Sequence, residues 1–258
     1  MFLSVREMSK RWGIHPTGVL HVGAHHAEES SDYTQFGWTP VIWVEANPAL
    51  IAHIVDAVKE KFDRVICAAV WDANDVVKSF HVSNFSQSSS LLEFGTHAQS
   101  YKEISTIETL SVRTSRLDAI LTIDEMPNFC SLDIQGVELN ALYGLGHLID
   151  RLDFIKTEVN KLYVYEGCAL VGQLDAFLAE KGFTRVATRW VLGKGWGDAL
   201  YIRDSVSTNR SLFRTIDSIS WYGSQARDFM IVLLRLSIIK KNVLKIVRST
   251  LGTKVWRA

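Results

Sequence analysis

Cysteine is scarce in this chain. Cys67, Cys130 and Cys168 are the only three in 258 residues, far apart and never as a C-x-x-C pair, which supports neither a zinc ribbon nor a dithiol redox motif. Cys67 and Cys130 lie inside apolar runs and read as small buried hydrophobes. Net charge is lacking too: 28 Lys and Arg balance 28 Asp and Glu, so no global field points to nucleic acid. The apolar stretch FMIVLLRLSII at 229–239 carries Arg235 and is too short to cross a bilayer. The opening MFLSVREMSKRWG is too polar for a secretory signal, which leaves the cytoplasm as the expected compartment. There is no internal repeat. The rest is ordinary for a globular protein, 47% hydrophobic and 22% charged. The length suits one large α/β domain, alone or with an appendage.

The appendage shows in the charge. From residue 227 onward eight Lys or Arg side chains face one Asp, a net +7 that leaves −7 on the rest. Extended to Leu251, the apolar stretch takes in Lys240, Lys241, Lys245 and Arg248. It predicts a basic amphipathic helix within an extension at 205–258, either docked on protein or lying on an anionic membrane face.

Residues 1–204 form the expected main domain. VLHVG (19–23), VIWVE (41–45) and RVICAAV (64–70) predict strands, with helices over 27–36 and after Asn47, where Pro48 marks the first turn. Leu50, Ile51, Ile54, Val55, Val58 and Phe62 share one face of that second helix. Residues 72–115 break the pattern: VVKSFHV alternates like a strand, SNFSQSSSLLEFG reads as a loop, and the segment is expected as an insertion over the sheet edge with short strands and a short helix. TSRLDAIL predicts a helix, NFCSLDI (128–134) a buried strand, 136–145 a helix, and DFIKTEV (153–159) a fifth strand. CALVGQLDAFLAEKGF predicts a helix stopped by Gly182, before an antiparallel closing pair, TRVATRWVL and DALYIRD. Apolar strands joined by helices predict a mostly parallel, doubly wound sheet with an antiparallel edge hairpin.

Ligands of such sheets bind at the carboxyl ends of the strands. Gly23 ends the first strand there, and Glu45 ends the second, 22 positions later, the spacing at which an acid commonly accepts from ribose hydroxyls. A dinucleotide fingerprint needs two more glycines, but His25 and Glu28 stand in their places. That mismatch favours a nucleoside without phosphates, such as S-adenosylmethionine. His25 and His26 are adjacent with no Cys or Asp nearby, so no metal site is expected. His21 reads as a satisfied buried histidine.

VLHVGAHHAEES, VIWVEANP, SQSSSLL and SLDIQGVELNALYGLG, in that order, resemble the FkbM-type S-adenosylmethionine-dependent methyltransferases over roughly residues 17–203. The resemblance implies a Rossmann-like class I methyltransferase fold, and O-methylation of a sugar, glycan or related secondary metabolite. His21, Ala27 and Gln135 depart from the family, which often has Asp, Gly and an acidic residue there. The expected cofactor residues are Gly23, Ala24, His25, Glu28, Glu45, Asn47 and Asp72. Ala24 and His25 would act through backbone N–H groups, and Asp72 on the adenine amino group by analogy. Asp133, ending a buried strand at the same rim, is the expected catalytic residue: it would attract the sulfonium or take the substrate's proton. Ser88, Ser89, Ser90, His97, Tyr101, Glu138 and Glu158 are weaker candidates. The partner is expected to be a small molecule or glycan, not nucleic acid. An NAD-type oxidoreductase and a non-catalytic module on the same fold are the alternatives.

Overall fold

The computed structural model describes residues 3–58 and 62–206. The chain divides into two units, residues 1–210 and 211–258, and the described residues belong to the first. The basic helix expected within 205–258 lies outside them, apart from the turn that ends at Val206. No helix among the described residues is long and apolar enough to cross a membrane.

A seven-stranded sheet organises the unit. Its strands are β1 (Val19–Val22), β2 (Val41–Glu45), β3 (Arg64–Cys67), β7 (Phe129–Leu132), β8 (Phe154–Asn160), β9 (Phe183–Trp190) and β10 (Trp196–Arg203), in the order β3-β2-β1-β7-β8-β10-β9. The first five are parallel, while β10 runs antiparallel to both β8 and β9. The expected doubly wound sheet with an antiparallel edge is therefore present. The winding reverses between β1 and β7, which places a crevice at their carboxyl ends.

The two faces of the sheet differ. Leu20, Val22, Cys130, Leu132, Ile155 and Val159 point into one core. Over them pack α5 (Leu117–Ile120), α6 (Glu138–Gly144) and α7 (Val171–Glu180) through Leu117, Leu142, Leu174 and Leu178. By the two-residue alternation of strands, His21, Trp43, Ser131, Lys156 and Glu158 take the other face. There, rings of Tyr33, Trp38 and Phe129 pack beside buried charge.

Several local expectations are corrected. The strand expected over 64–70 divides at Ala68, whose N–H turns to the Glu45 carbonyl, leaving β4 (Ala69–Val70) for another sheet. That sheet builds the expected insertion: β5 (Val77–Ser83) and β6 (Thr106–Ser115) pair antiparallel, with β4 on the far side of β6, and the short helix is α4 (His97–Ser100). Of TSRLDAIL, Thr114 and Ser115 belong to β6, so only α5 is helical. The helix expected from 27 is α2 (Ser30–Phe36), delayed because Ala27 takes φ +54. After a 3₁₀ turn at Pro48–Leu50, α3 spans only Ile51–Ala57 and buries Ile54, while Val55 and Phe62 are exposed. Cys67 is exposed, not buried.

One helix had no counterpart in the sequence reading. The first, α1 (Val5–Trp12), is capped by Ser4 Oγ accepting from the Glu7 N–H and closed by Gly13 in the left-handed region. Val5, Met8 and Trp12 bury its inner face. The preceding Leu3 N–H donates to the Asp198 carboxylate at 3.0 Å, so this polar opening segment is tied into the sheet beside the crevice.

Candidate active site

At the β1/β7 crevice the chain turns on Gly23. Its φ is +88°, and a Cβ built on it would lie 1.9 Å from the carbonyl oxygen of Asp133. Only glycine lets the ends of β1 and β7 come this close. The Gly23 and Ala24 N–H groups both donate to the Val44 carbonyl, at 2.9 and 3.0 Å, and the His25 N–H donates to Glu45 Oε2 at 2.9 Å. These three donors are spent on fixing the turn. The expectation that Ala24 and His25 offer backbone N–H groups to a ligand is thus corrected.

Glu45 is the hinge of this arrangement. Its other oxygen accepts from the Asn47 N–H at 2.7 Å, while Asn47 Oδ1 caps the next turn through Ala49 N–H. Burial pushes the Glu45 carboxyl up, against the pull of those backbone donors and His25. A carboxylate has about four acceptor positions; two are used, and Glu45 still lines an open slot. That slot is lined by Gly23, Glu45 and Asn47 together with apolar Ala68, Val70 and Val137. Its walls suit a flat apolar ring joined to a hydroxylated sugar.

A second, wider cleft of about 420 Å³ adjoins it. Gly23, His25, Gln87, Asp133 and Gln135 line both, so they mark the seam. Rings of Phe85, His97, Tyr101 and Trp196 and the acids Glu28, Glu29, Glu158 and Asp198 line the wide cleft.

Its floor is a buried charge network. Gln135, held at φ +57°, spans two acids: Nε2 donates to Asp133 Oδ1 at 2.6 Å and to Glu158 Oε2 at 3.2 Å. Its Oε1 accepts from Tyr165 Oη at 2.6 Å, and Ser90 Oγ donates to its carbonyl at 2.7 Å. Lys156, fully buried, pairs with Asp198 at 3.6 Å. Burial raises Asp133 although Lys156 opposes it. Burial, with Asp133 and Glu138 nearby, raises Glu158 well above the usual range. Lys156 stays above its ordinary value because Asp198, Asp133 and Glu29 outweigh burial.

The remaining candidates separate cleanly. Asp72 lines neither cavity: its carboxylate accepts from Asn140 Nδ2 at 2.7 Å. The adenine-amino role expected of it has no support from its position. Ala24 is buried outside both lining sets. Glu138 caps the loop before α6, accepting from the Ile134 and Gly136 N–H groups, and burial raises it to about 7. Ser88 and Ser89 line the cleft and the slot respectively. His21 is a satisfied buried histidine, as expected. It stacks on Trp43 at 4.9 Å and meets Tyr33 Oη at 3.0 Å; burial, then Lys156, lowers it to about 4. Lys156, Asp198, Tyr165 and Ser86 were not anticipated. Among the described residues no three His, Cys, Asp or Glu side chains converge to hold a metal ion.

The Methyltransferase FkbM domain matches residues 21–185, a span holding the turn, Glu45, Asp133 and the network around Gln135. The chain belongs to the FkbM methyltransferase family. It is thus an S-adenosylmethionine-dependent methyltransferase, which sets aside the dinucleotide and non-catalytic readings. No curated protein matches the sequence. Among solved structures, the chain is similar to a magnesium protoporphyrin IX methyltransferase from Synechocystis PCC 6803 with bound S-adenosylhomocysteine. The identity is 9%, with 77% of this chain and 80% of that one covered and a TM-score of 0.44. It is also similar to the ribosomal protein L11 methylase of Lactobacillus delbrueckii subsp. bulgaricus, at 10% identity, 77% of each chain and a TM-score of 0.43. The FkbM cofactor fits the residues present: the turn at Gly23 excludes a side chain, and Glu45 keeps acceptor capacity facing the slot.

Proposed function

We propose that this FkbM methyltransferase methylates a hydroxyl of a sugar, glycan or related secondary metabolite. The observation that carries the reading is the wide cleft of about 420 Å³ joined at one seam to the narrow slot. Its aromatic rings offer flat apolar surface, and its carboxylates accept from hydroxyl donors. A polyhydroxylated ring has both kinds of surface, whereas a phosphodiester chain would meet the Glu28 carboxylate as a like charge.

The slot would take the adenosine half of the cofactor, with Glu45 accepting from the ribose hydroxyls and Asn47 beside it. When bound, the cofactor supplies an activated methyl group. The chain then has to bring an acceptor oxygen to the seam in line with that group and exclude water. Asp133, at the seam and under the cleft, offers negative potential toward a sulfonium there.

The test is calorimetry with S-adenosylmethionine, followed by transfer of a labelled methyl group to neutral methyl hexopyranosides. Wild type should bind and transfer. Glu45→Gln should weaken cofactor binding on the order of 10- to 100-fold, the worth of a hydrogen bond to a charged group. Binding without transfer to any glycoside would sink the sugar assignment, and an unchanged affinity in Glu45→Gln would sink the ribose role.

A further inference from the structure

Methyl transfer to a hydroxyl leaves a proton to be removed, and the expected acid, Asp133, is poorly placed to take it. It is half-buried, tied to the Gln135 amide and raised by its surroundings. Glu158 is raised further. His21 also lines the cleft, but burial holds it at about 4 and its Nδ1 is engaged by Tyr33 Oη. His25 differs from all of these. Its ring lines both the slot and the cleft, and both nitrogens are engaged: Nδ1 lies 2.6 Å from Glu28 Oε1, and Nε2 lies 2.7 Å from Ser86 Oγ.

The protonation follows from the partners. Burial opposes it, but the hydrogen bond and charge of His25 hold the Glu28 carboxyl at about 2. Glu28 is therefore ionised and can only accept. Nδ1 must carry a hydrogen, and in the neutral ring Nε2 keeps its lone pair and accepts from the Ser86 hydroxyl. A serine hydroxyl already sits where an acceptor hydroxyl would bind a base. The backbone reinforces this placement. His25 adopts φ +47°, and its N–H is locked to Glu45, so the ring has a fixed origin at the seam.

From this geometry we infer that His25, oriented by Glu28, is the general base of the methyl transfer, and that the acceptor hydroxyl takes the place of Ser86 Oγ at Nε2. The inference rests on the hydroxyl-acceptor reading above. In the step, a lone pair of the acceptor oxygen forms the bond to the methyl carbon. The carbon–sulfur bond breaks with its electrons going to sulfur, which cancels the positive charge there. The hydroxyl proton passes to Nε2, and the imidazolium is balanced by Glu28.

The groups facing His25 are Glu28, Glu45, Asp133 and the His26 ring, 4.2 Å away. Burial lowers the His25 pKa, but the three acids outweigh it and hold the ring above its ordinary value. Nitrogen NMR of the protein without cofactor reads the dyad directly. Wild type should show the Nδ1–H tautomer, and Glu28→Gln should lower the His25 pKa by about one unit or more. With methyl hexopyranosides, the rising limb of kcat/KM against pH should follow that titration and move to lower pH in Glu28→Gln. Asn tolerates positive φ, so His25→Asn should keep the turn. It should lose about 10²- to 10⁴-fold in kcat while keeping its affinity for S-adenosylhomocysteine by calorimetry. An Nε2–H tautomer, an unchanged kcat in His25→Asn, or a loss of product affinity equal to the loss of turnover would each overturn the proposal. If wild type methylates no glycoside, the sugar reading fails on its own, and the tautomer still decides the dyad.

Discussion

Gly23 is the position where one atom matters most. An added Cβ would meet the Asp133 carbonyl oxygen at 1.9 Å, on a backbone at φ +88° that side chains rarely adopt. Both terms act on the same point, so relaxation has to part the ends of β1 and β7. Gly23→Ala should cost about 2–4 kcal/mol of stability, in the range of severe backbone substitutions, and should weaken cofactor binding with it. Urea titration measures the first; a midpoint within error of wild type would show that the turn has room. Gln135 makes the complementary case. Its amide donates to two acids and accepts from Tyr165, a combination that the acid common in the family could not supply. Its departure from the family pattern, visible in the sequence, is explained by that pair of acids, which is not.

Strand β8 shows what a periodic pattern hides. FIKTEVN reads as an apolar strand broken by charge, yet all seven residues are buried. Ile155 and Val159 serve the core under the helices, while Lys156 and Glu158 face the charge network. The alternation of Lys156 and Glu158 was the available signal, but nothing local says that Asp198, two strands' worth of sequence away, pairs with the lysine. The network sets a pH dependence of stability. Burial holds the Glu138 carboxyl at about 7 and Glu158 well above the ordinary range. In the unfolded chain both ionise near 4.3. Above that value the folded state holds more protons than the unfolded one, so its stability falls as pH rises through the folded pKa. His25, raised in the fold, acts in the same direction above pH 6.5. The lowered His21 acts oppositely, but only between about 4 and 6.5. The urea midpoint should therefore drop from pH 6.5 to 8. A flat or rising midpoint would mean that the acids are ionised in the fold.

Across the chain, what was legible was what repeats. Strand–helix alternation gave the parallel sheet, its antiparallel edge and the rim that carries Gly23, Glu45 and Asp133, because burial on both faces writes itself into the sequence. In the insertion β5 was legible from its alternation, but its pairing with β6 across a long excursion, which makes a second sheet, was not. The hydroxyl site at His25 Nε2 was missed because His25 and Ser86 lie 61 residues apart, and only the fold joins them. Charge, by contrast, is additive and needs no fold to be counted. Eight basic residues and one acidic one follow residue 226, and each Lys or Arg near an anionic bilayer contributes about 1 kcal/mol. Even a fraction of that sum would suffice for reversible attachment to an anionic surface. We expect the full chain to sediment with phosphatidylserine-rich vesicles and to be released by salt, since exposed charges are screened within about 10 Å at 0.1 M. A variant with Lys240, Lys241, Lys245 and Arg248 changed to Ser should stay in the supernatant. Equal partition of the two proteins would remove the membrane from this account and leave the basic segment to a protein partner.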